Sequence, residues 1–120
     1  MKDGDNILLV NLNQSYNQAK AKGVYKRFDI YESTRKYWFI NRDKAEYINY
    51  VLGVYKGIVR CVIKVESYKF VDQADDGTVF SKPRCCFEGE VCPDSPYMNT
   101  DVSDYPFGSG GAIRYIMTSL

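Results

Sequence analysis

The run Ile58 to Val71, "IVRCVIKVESYKFV", constrains the fold more than any other part of the chain. Ile58, Arg60, Val62, Lys64, Glu66 and Tyr68 fall on one side of a period-two pattern. Val59, Cys61, Ile63 and Val65 fall on the other. Alternation this long is a strand signal and is incompatible with a helix. One side is apolar throughout and the other mixed, which predicts a sheet packed on one face and partly wet on the other. Lys56-Gly57 just before it reads as a hairpin turn from a strand at Tyr50 to Tyr55. The acidic turn "DQADDGT" just after it leads into a further strand region, "VFSKPRCCFEGEV", where Pro83 is a candidate break.

Shorter apolar segments open and close the chain: Ile7 to Val10, and the strand-like "IRYIMTSL". "NLNQSYNQ" reads as a polar turn region, and Gln18 to Lys22 fits one helical turn stopped by Gly23. Asp29 is placed to cap a helix running through Tyr37, and a second helix is predicted from Arg42 to Ile48. Cys92 to Ala112 is loop-rich, with three of the four prolines and the stretch Gly-Ser-Gly-Gly at 108–111. With 120 residues and 45% apolar content, the chain supports one domain with one core and no deep internal cavity. The pattern predicts an α+β domain: a curved antiparallel β-sheet with two or three short helices. A sizeable ligand fits more easily between two copies than inside one.

The formal charge is +1, from 16 basic and 15 acidic residues. That argues against a general nucleic-acid coat, which needs a basic surplus to neutralise many phosphates. It leaves room for a small ligand with one or two phosphates. There is no histidine, so a Ser-His-Asp triad, a Cys-His pair and an H-E-x-x-H zinc site are all impossible. Carboxylate, tyrosine and lysine chemistry remain open. The four cysteines, Cys61, Cys85, Cys86 and Cys92, lack a zinc spacing and read as buried small hydrophobes or as partners for pairing between subunits. "MKDGDNILLV" is not a signal peptide, so reduced cytosolic thiols are the expectation, and no run is long enough for a membrane span.

Three arginines lie beside aromatics in sequence: Arg35 near Trp38, Arg84 near Phe87, and Arg114 beside Tyr115. Guanidinium forks suit phosphates, aromatic faces suit bases, and an asparagine amide can pair with a base edge. Glu88 and Glu90 alternate along one strand, but the lysine spacing of carboxylate-metal nucleases is missing. "LGVYKGI" lacks the second motif strand of a tyrosine-based nuclease. In "YESTRKYWFI", Arg35 and Lys36 adjoin Tyr37, Trp38 and Phe39. It is either core with a solvated edge or one wall of an anion site.

The segments "LLVNLNQSY", "IYESTRKYW", "AEYINYVLGVYKGIVRCVIKV", "CFEGE", "SPYMNTDV" and "IRYI" occur in an order that resembles the first-described family of Thoeris anti-defence proteins. That order covers nearly the whole chain. The family implies a phage protein in the cytoplasm of an infected bacterium. It implies a sponge that sequesters cyclic ADP-ribose isomers made by TIR-domain enzymes, without cleaving them and with no cofactor. The ligand sits between protomers of a homodimer or larger ring, hexamers included, and some members hold cyclic trinucleotides at separate subunit interfaces. Carried onto this sequence, Arg35 and Arg114 hold the phosphates, and Phe87 and Asn99 flank the base. Trp38 is then core that fixes the helix. Ser33 and Lys36 depart from the usual alanine and glycine without removing a ligand group. The rival readings are a nucleic-acid or modified-base binding domain and a hydrolase of the same signal.

Overall fold

The computed structural model describes residues 4–13, 30–108 and 111–118. Its centre is β1 (Asn6–Asn11), in which Ile7 to Val10 are all fully buried. Successive strand side chains point to opposite faces, so four buried neighbours require cover on both sides of the sheet. β1 pairs in parallel with β2 (Tyr50–Tyr55), with Ile7 opposite Tyr50. The connection between them carries α1 (Ile30–Arg35) and α2 (Arg42–Ala45). β3 (Ile58–Gln73) and β4 (Val79–Val91) follow as antiparallel hairpin partners. β5 (Ile113–Met117) returns antiparallel to β1, giving the order β4-β3-β2-β1-β5.

The α+β class and the curved sheet therefore stand, and the sheet is open. The sheet is mixed, however, because β1 and β2 run the same way. The hairpin turn is where the sequence puts it: Lys56 and Gly57 both have positive φ, 50° and 81°, as a tight turn matched to strand twist requires. β4 continues through Pro83 without a break. Cys85 exchanges both peptide hydrogen bonds with Trp38 (2.7 and 3.0 Å), on the side away from β3. Pro83, two residues earlier, presents its backbone to that same outer side, so its missing N–H costs no ladder bond. Trp38 to Ile40 forms that single bridge and no strand.

The expectation of one apolar and one partly wet face holds along β3 for Arg60, Lys64, Glu66 and Tyr68, which are exposed, and for Val59, Cys61 and Ile63, which are buried, but the centre of the sheet is covered on both faces. On one side Leu8, Val10, Val51, Cys61, Ile63, Cys85 and Phe87 pack under Trp38, Ile40, Ala45 and Ile48. On the other, Ile7, Leu9, Leu52, Val54, Val59 and Val62 pack under Tyr97 and Val102 of the long loop. β3 also carries a bulge. Gly53 faces Cys61 but Val54 faces Val59, so Arg60 has no cross-strand partner. This extra residue turns Val59 and Val62 to the same face and breaks the simple alternation. A second irregularity, between Val65 and Ser67, lies opposite Gly89. A Cβ at Gly89 would run into the Lys64 carbonyl, so only glycine fits there.

α2 starts at Asn41, whose side chain accepts a hydrogen bond from the Asp43 N–H at 2.7 Å. It ends sooner than predicted, at Ala45. Among the described residues no helix is long and apolar enough to cross a membrane. The predicted turn at Gln18 to Lys22, the Asp29 cap and the middle of the Gly-Ser-Gly-Gly stretch lie outside the described residues.

Candidate functional site

The four residues singled out from the sequence do not converge within one chain. Arg35 ends α1 and is only 8% exposed. Its Nε donates to the Phe87 carbonyl at 2.8 Å, Nη1 donates to Glu32 at 2.8 Å, and Nη2 donates to Glu88 at 3.3 Å. Burial disfavours its charge, but the hydrogen bond and the negative charge of Glu32 outweigh that and raise its pKa. Arg35 is thus the tie between α1 and the outer edge of β4, and its fork is already occupied. Lys36 extends the network to Asp75 and Glu32.

Phe87 is fully buried in the core beneath α1 and Trp38. It has no open ring face for a purine, which corrects the stacking role expected of it. Its contribution near the surface is the carbonyl that holds Arg35. Trp38 is core as expected, with its indole N–H donating to the Thr34 carbonyl at 2.8 Å. That answers the question posed by "YESTRKYWFI": it is a buried clasp with a charged rim.

Asn99 and Arg114 are exposed, and both lie on the opposite side of the sheet from α1. Asn99 has φ 62°, a left-handed conformation that asparagine tolerates better than most residues. Its backbone N–H bonds to the Val59 carbonyl at 3.0 Å. Its side-chain oxygen accepts from Arg60 at 3.3 Å. Arg60 was missed in the sequence because the alternation hid the bulge that turns it out toward the loop. Arg84 stacks on Phe80 at 4.8 Å, and not on Phe87. Arg114 lies 5.8 Å from the Tyr105 ring, on the face away from Tyr115.

Arg114 differs from Arg35 in what it leaves available. Nη1 donates to the Pro106 carbonyl at 3.0 Å, which fixes the guanidinium against the loop. Among the described residues no carboxylate lies within ion-pair distance of it, and none of them accepts a hydrogen bond from its Nε or Nη2. That pair of N–H groups is a bidentate edge suited to phosphate. Arg114 and Arg60 are separated by β1 and β2, so three strand spacings, about 14 Å, lie between them. A single chain therefore offers two separate polar stations, Arg60–Asn99 and Arg114–Tyr105, on one face.

Arg35→Ala is expected to lower stability by about 2–3 kcal/mol, because a buried carbonyl and a charged network lose their donor together. Urea denaturation measures this directly. The cysteines give a second check. Burial pushes the Cys85 thiol up to about 12 and Cys86 in the same direction. At pH 8 an alkylating reagent should label half-buried Cys92 and spare Cys61, Cys85 and Cys86 until denaturant is added. The linkage has one sign. The unfolded thiols ionise near pH 9 while the folded ones stay protonated, so stability is full below that pH and falls as pH rises toward 12.

No family model, no curated protein and no solved structure matches this chain.

Proposed function

We propose that the protein is a non-catalytic sponge that binds cyclic ADP-ribose isomers between copies of itself and returns them uncleaved. The observation that carries this reading is the open bidentate edge of Arg114, fixed by Pro106 and Tyr105 and not neutralised by any described carboxylate. The order of motifs along the chain supports the same ligand class, as does the absence of histidine from the sequence. Asn99, held in a left-handed conformation beside Arg60, is the base-edge reader in this reading. Arg35 and Phe87 act indirectly, by holding α1 on the sheet.

Sequestration needs nanomolar binding, about −12 kcal/mol. One exposed arginine and one amide on a wet surface do not supply that, so the ligand is enclosed by a second copy. Titration calorimetry with cyclic ADP-ribose isomers tests this reading. Nanomolar affinity at physiological salt supports it. A lack of binding to all isomers, together with a salt-dependent gel shift on mixed oligonucleotides, would replace it with a nucleic-acid reader.

A further inference from the structure

We infer that the protein carries a second binding site, a cleft between the starts of β1 and β2 and the middle of β3, which takes a small zwitterion of the free α-amino acid class. The cleft has a volume of about 220 Å³ and is lined by Gly4, Asp5, Asn49, Tyr50, Lys64 and Val65. That is below the roughly 300–1,000 Å³ of sites for drug-sized ligands, so the room suits a small molecule. None of these residues holds ligand in the sponge reading, so the two sites are independent. The sheet register builds the cleft. Lys64 lies directly opposite Tyr50 in the β2–β3 ladder, and such pairs share a face. Tyr97 packs edge-on against Tyr50 at 5.9 Å and bonds to Asp5, which sets all three lining side chains on the side covered by the long loop.

A cation and an anion thus border one cleft without neutralising each other. Among the described residues every ion pair belongs to Arg35 or Lys36. Lys64 pairs neither with Asp5 nor with Glu90, its neighbour across the β3–β4 ladder. The other polar groups are held in place. Asp5 Oδ2 accepts from the Tyr97 hydroxyl at 2.5 Å, and the Asp5 carbonyl accepts from the Thr118 hydroxyl at 2.5 Å. No described donor reaches Asp5 Oδ1. Asn49 Oδ1 accepts from the Asn6 N–H at 2.8 Å, and the Asn49 peptide groups bond to Asn6 and Val65 at 2.8 Å each. No described group accepts from the Asn49 amide nitrogen.

This set of groups selects among ligands by charge. A phosphate or dicarboxylate meets repulsion from Asp5, and a polyamine meets it from Lys64. A sugar leaves both charges unmatched. An α-amino acid matches both: its carboxylate accepts from Lys64 Nζ and Asn49 Nδ2, and its ammonium donates to Asp5 Oδ1. Each of these is a charge-assisted hydrogen bond, the stronger kind. Half-buried Tyr50 and Val65 supply an apolar wall for the ligand's side chain. Because Asp5 and Asn49 are already fixed, they lose little freedom on binding.

Titration calorimetry of the purified full chain with each common L-amino acid, at millimolar concentration, tests this. At least one should bind with a millimolar or tighter Kd. Its N-acetyl and its carboxamide derivatives should each bind about tenfold more weakly or worse, because each lacks one of the two charges. Lys64→Met keeps an unbranched stem at an exposed position. Asp5→Asn keeps an oxygen acceptor for the Tyr97 hydroxyl. Both variants should lose about tenfold or more in affinity with an unchanged melt. If Asp5→Asn does not fold, Lys64→Met still decides the matter. No binding of any amino acid would overturn the inference, as would affinity retained in Lys64→Met. Equal binding of the N-acetyl derivative would reveal an anion site only, and equal binding of the carboxamide a cation site only. Either result overturns the zwitterion assignment.

Discussion

Gly53→Val should destabilise the domain by about 3 kcal/mol or more, the upper end of what overpacking a core costs. A Cβ at Gly53 would lie 2.5 Å from Thr34 Oγ1 and 2.7 Å from Leu12 Cδ1. Thr34 has nowhere to go. It is fully buried in α1, with its hydroxyl bonded to the Ile30 carbonyl at 2.7 Å. Adding an isopropyl group forces α1 away from β2. That motion also strains the Trp38–Thr34 hydrogen bond and the Arg35–Phe87 tie, both anchored in the same helix. A small domain holds only about 5–15 kcal/mol in total, so the urea midpoint should fall far, with Gly53→Ala in between. A valine variant that melts like the wild type would mean that α1 does not dock against Gly53.

Arg114→Ala should weaken cyclic nucleotide binding by about 2–5 kcal/mol, roughly 30- to 4,000-fold, with an unchanged melt. Its Nε and Nη2 donors have no acceptor among the described residues. They hold no helix and pair with no described carboxylate, so their loss removes ligand contacts and little else. Arg114→Lys should not rescue binding, since an ammonium group lacks the planar fork. Asn99→Gly is the matching test at the other station. Glycine keeps the backbone comfortable at φ 62° and removes the side chain with its carboxamide, including the acceptor for Arg60. Weaker binding with a wild-type melt is the expected result. Equal affinity in both Arg114→Ala and Asn99→Gly would remove this face from the function.

Where local chemistry decided an element, the sequence located it closely. β2 spans Tyr50–Tyr55 as its apolar run predicts, and the Lys56-Gly57 turn joins it to β3. β4 covers the whole of "VFSKPRCCFEGEV". What stayed hidden depended on partners far along the chain. The apolar run of Ile7 to Val10 is compatible with any buried strand, and only the pairing with β2 makes it parallel. One bulge at Arg60 shifts the faces of β3, and a period-two count cannot register a one-residue slip. Arg35 and Phe87 look like binding residues in sequence because arginine and phenylalanine serve both cores and sites. Burial separated them from Asn99 and Arg114.

The proposed sponge function requires that the chain grip a cyclic nucleotide and leave it whole. The direct measurement is to incubate the protein with a cyclic ADP-ribose isomer, remove free ligand, heat the complex, and weigh what is released by mass spectrometry. Release of the unaltered cyclic isomer from the wild type, and none from Arg114→Ala, is the expected result. Recovery of linear ADP-ribose or another cleavage product, or of nothing at all from the wild type, would contradict it.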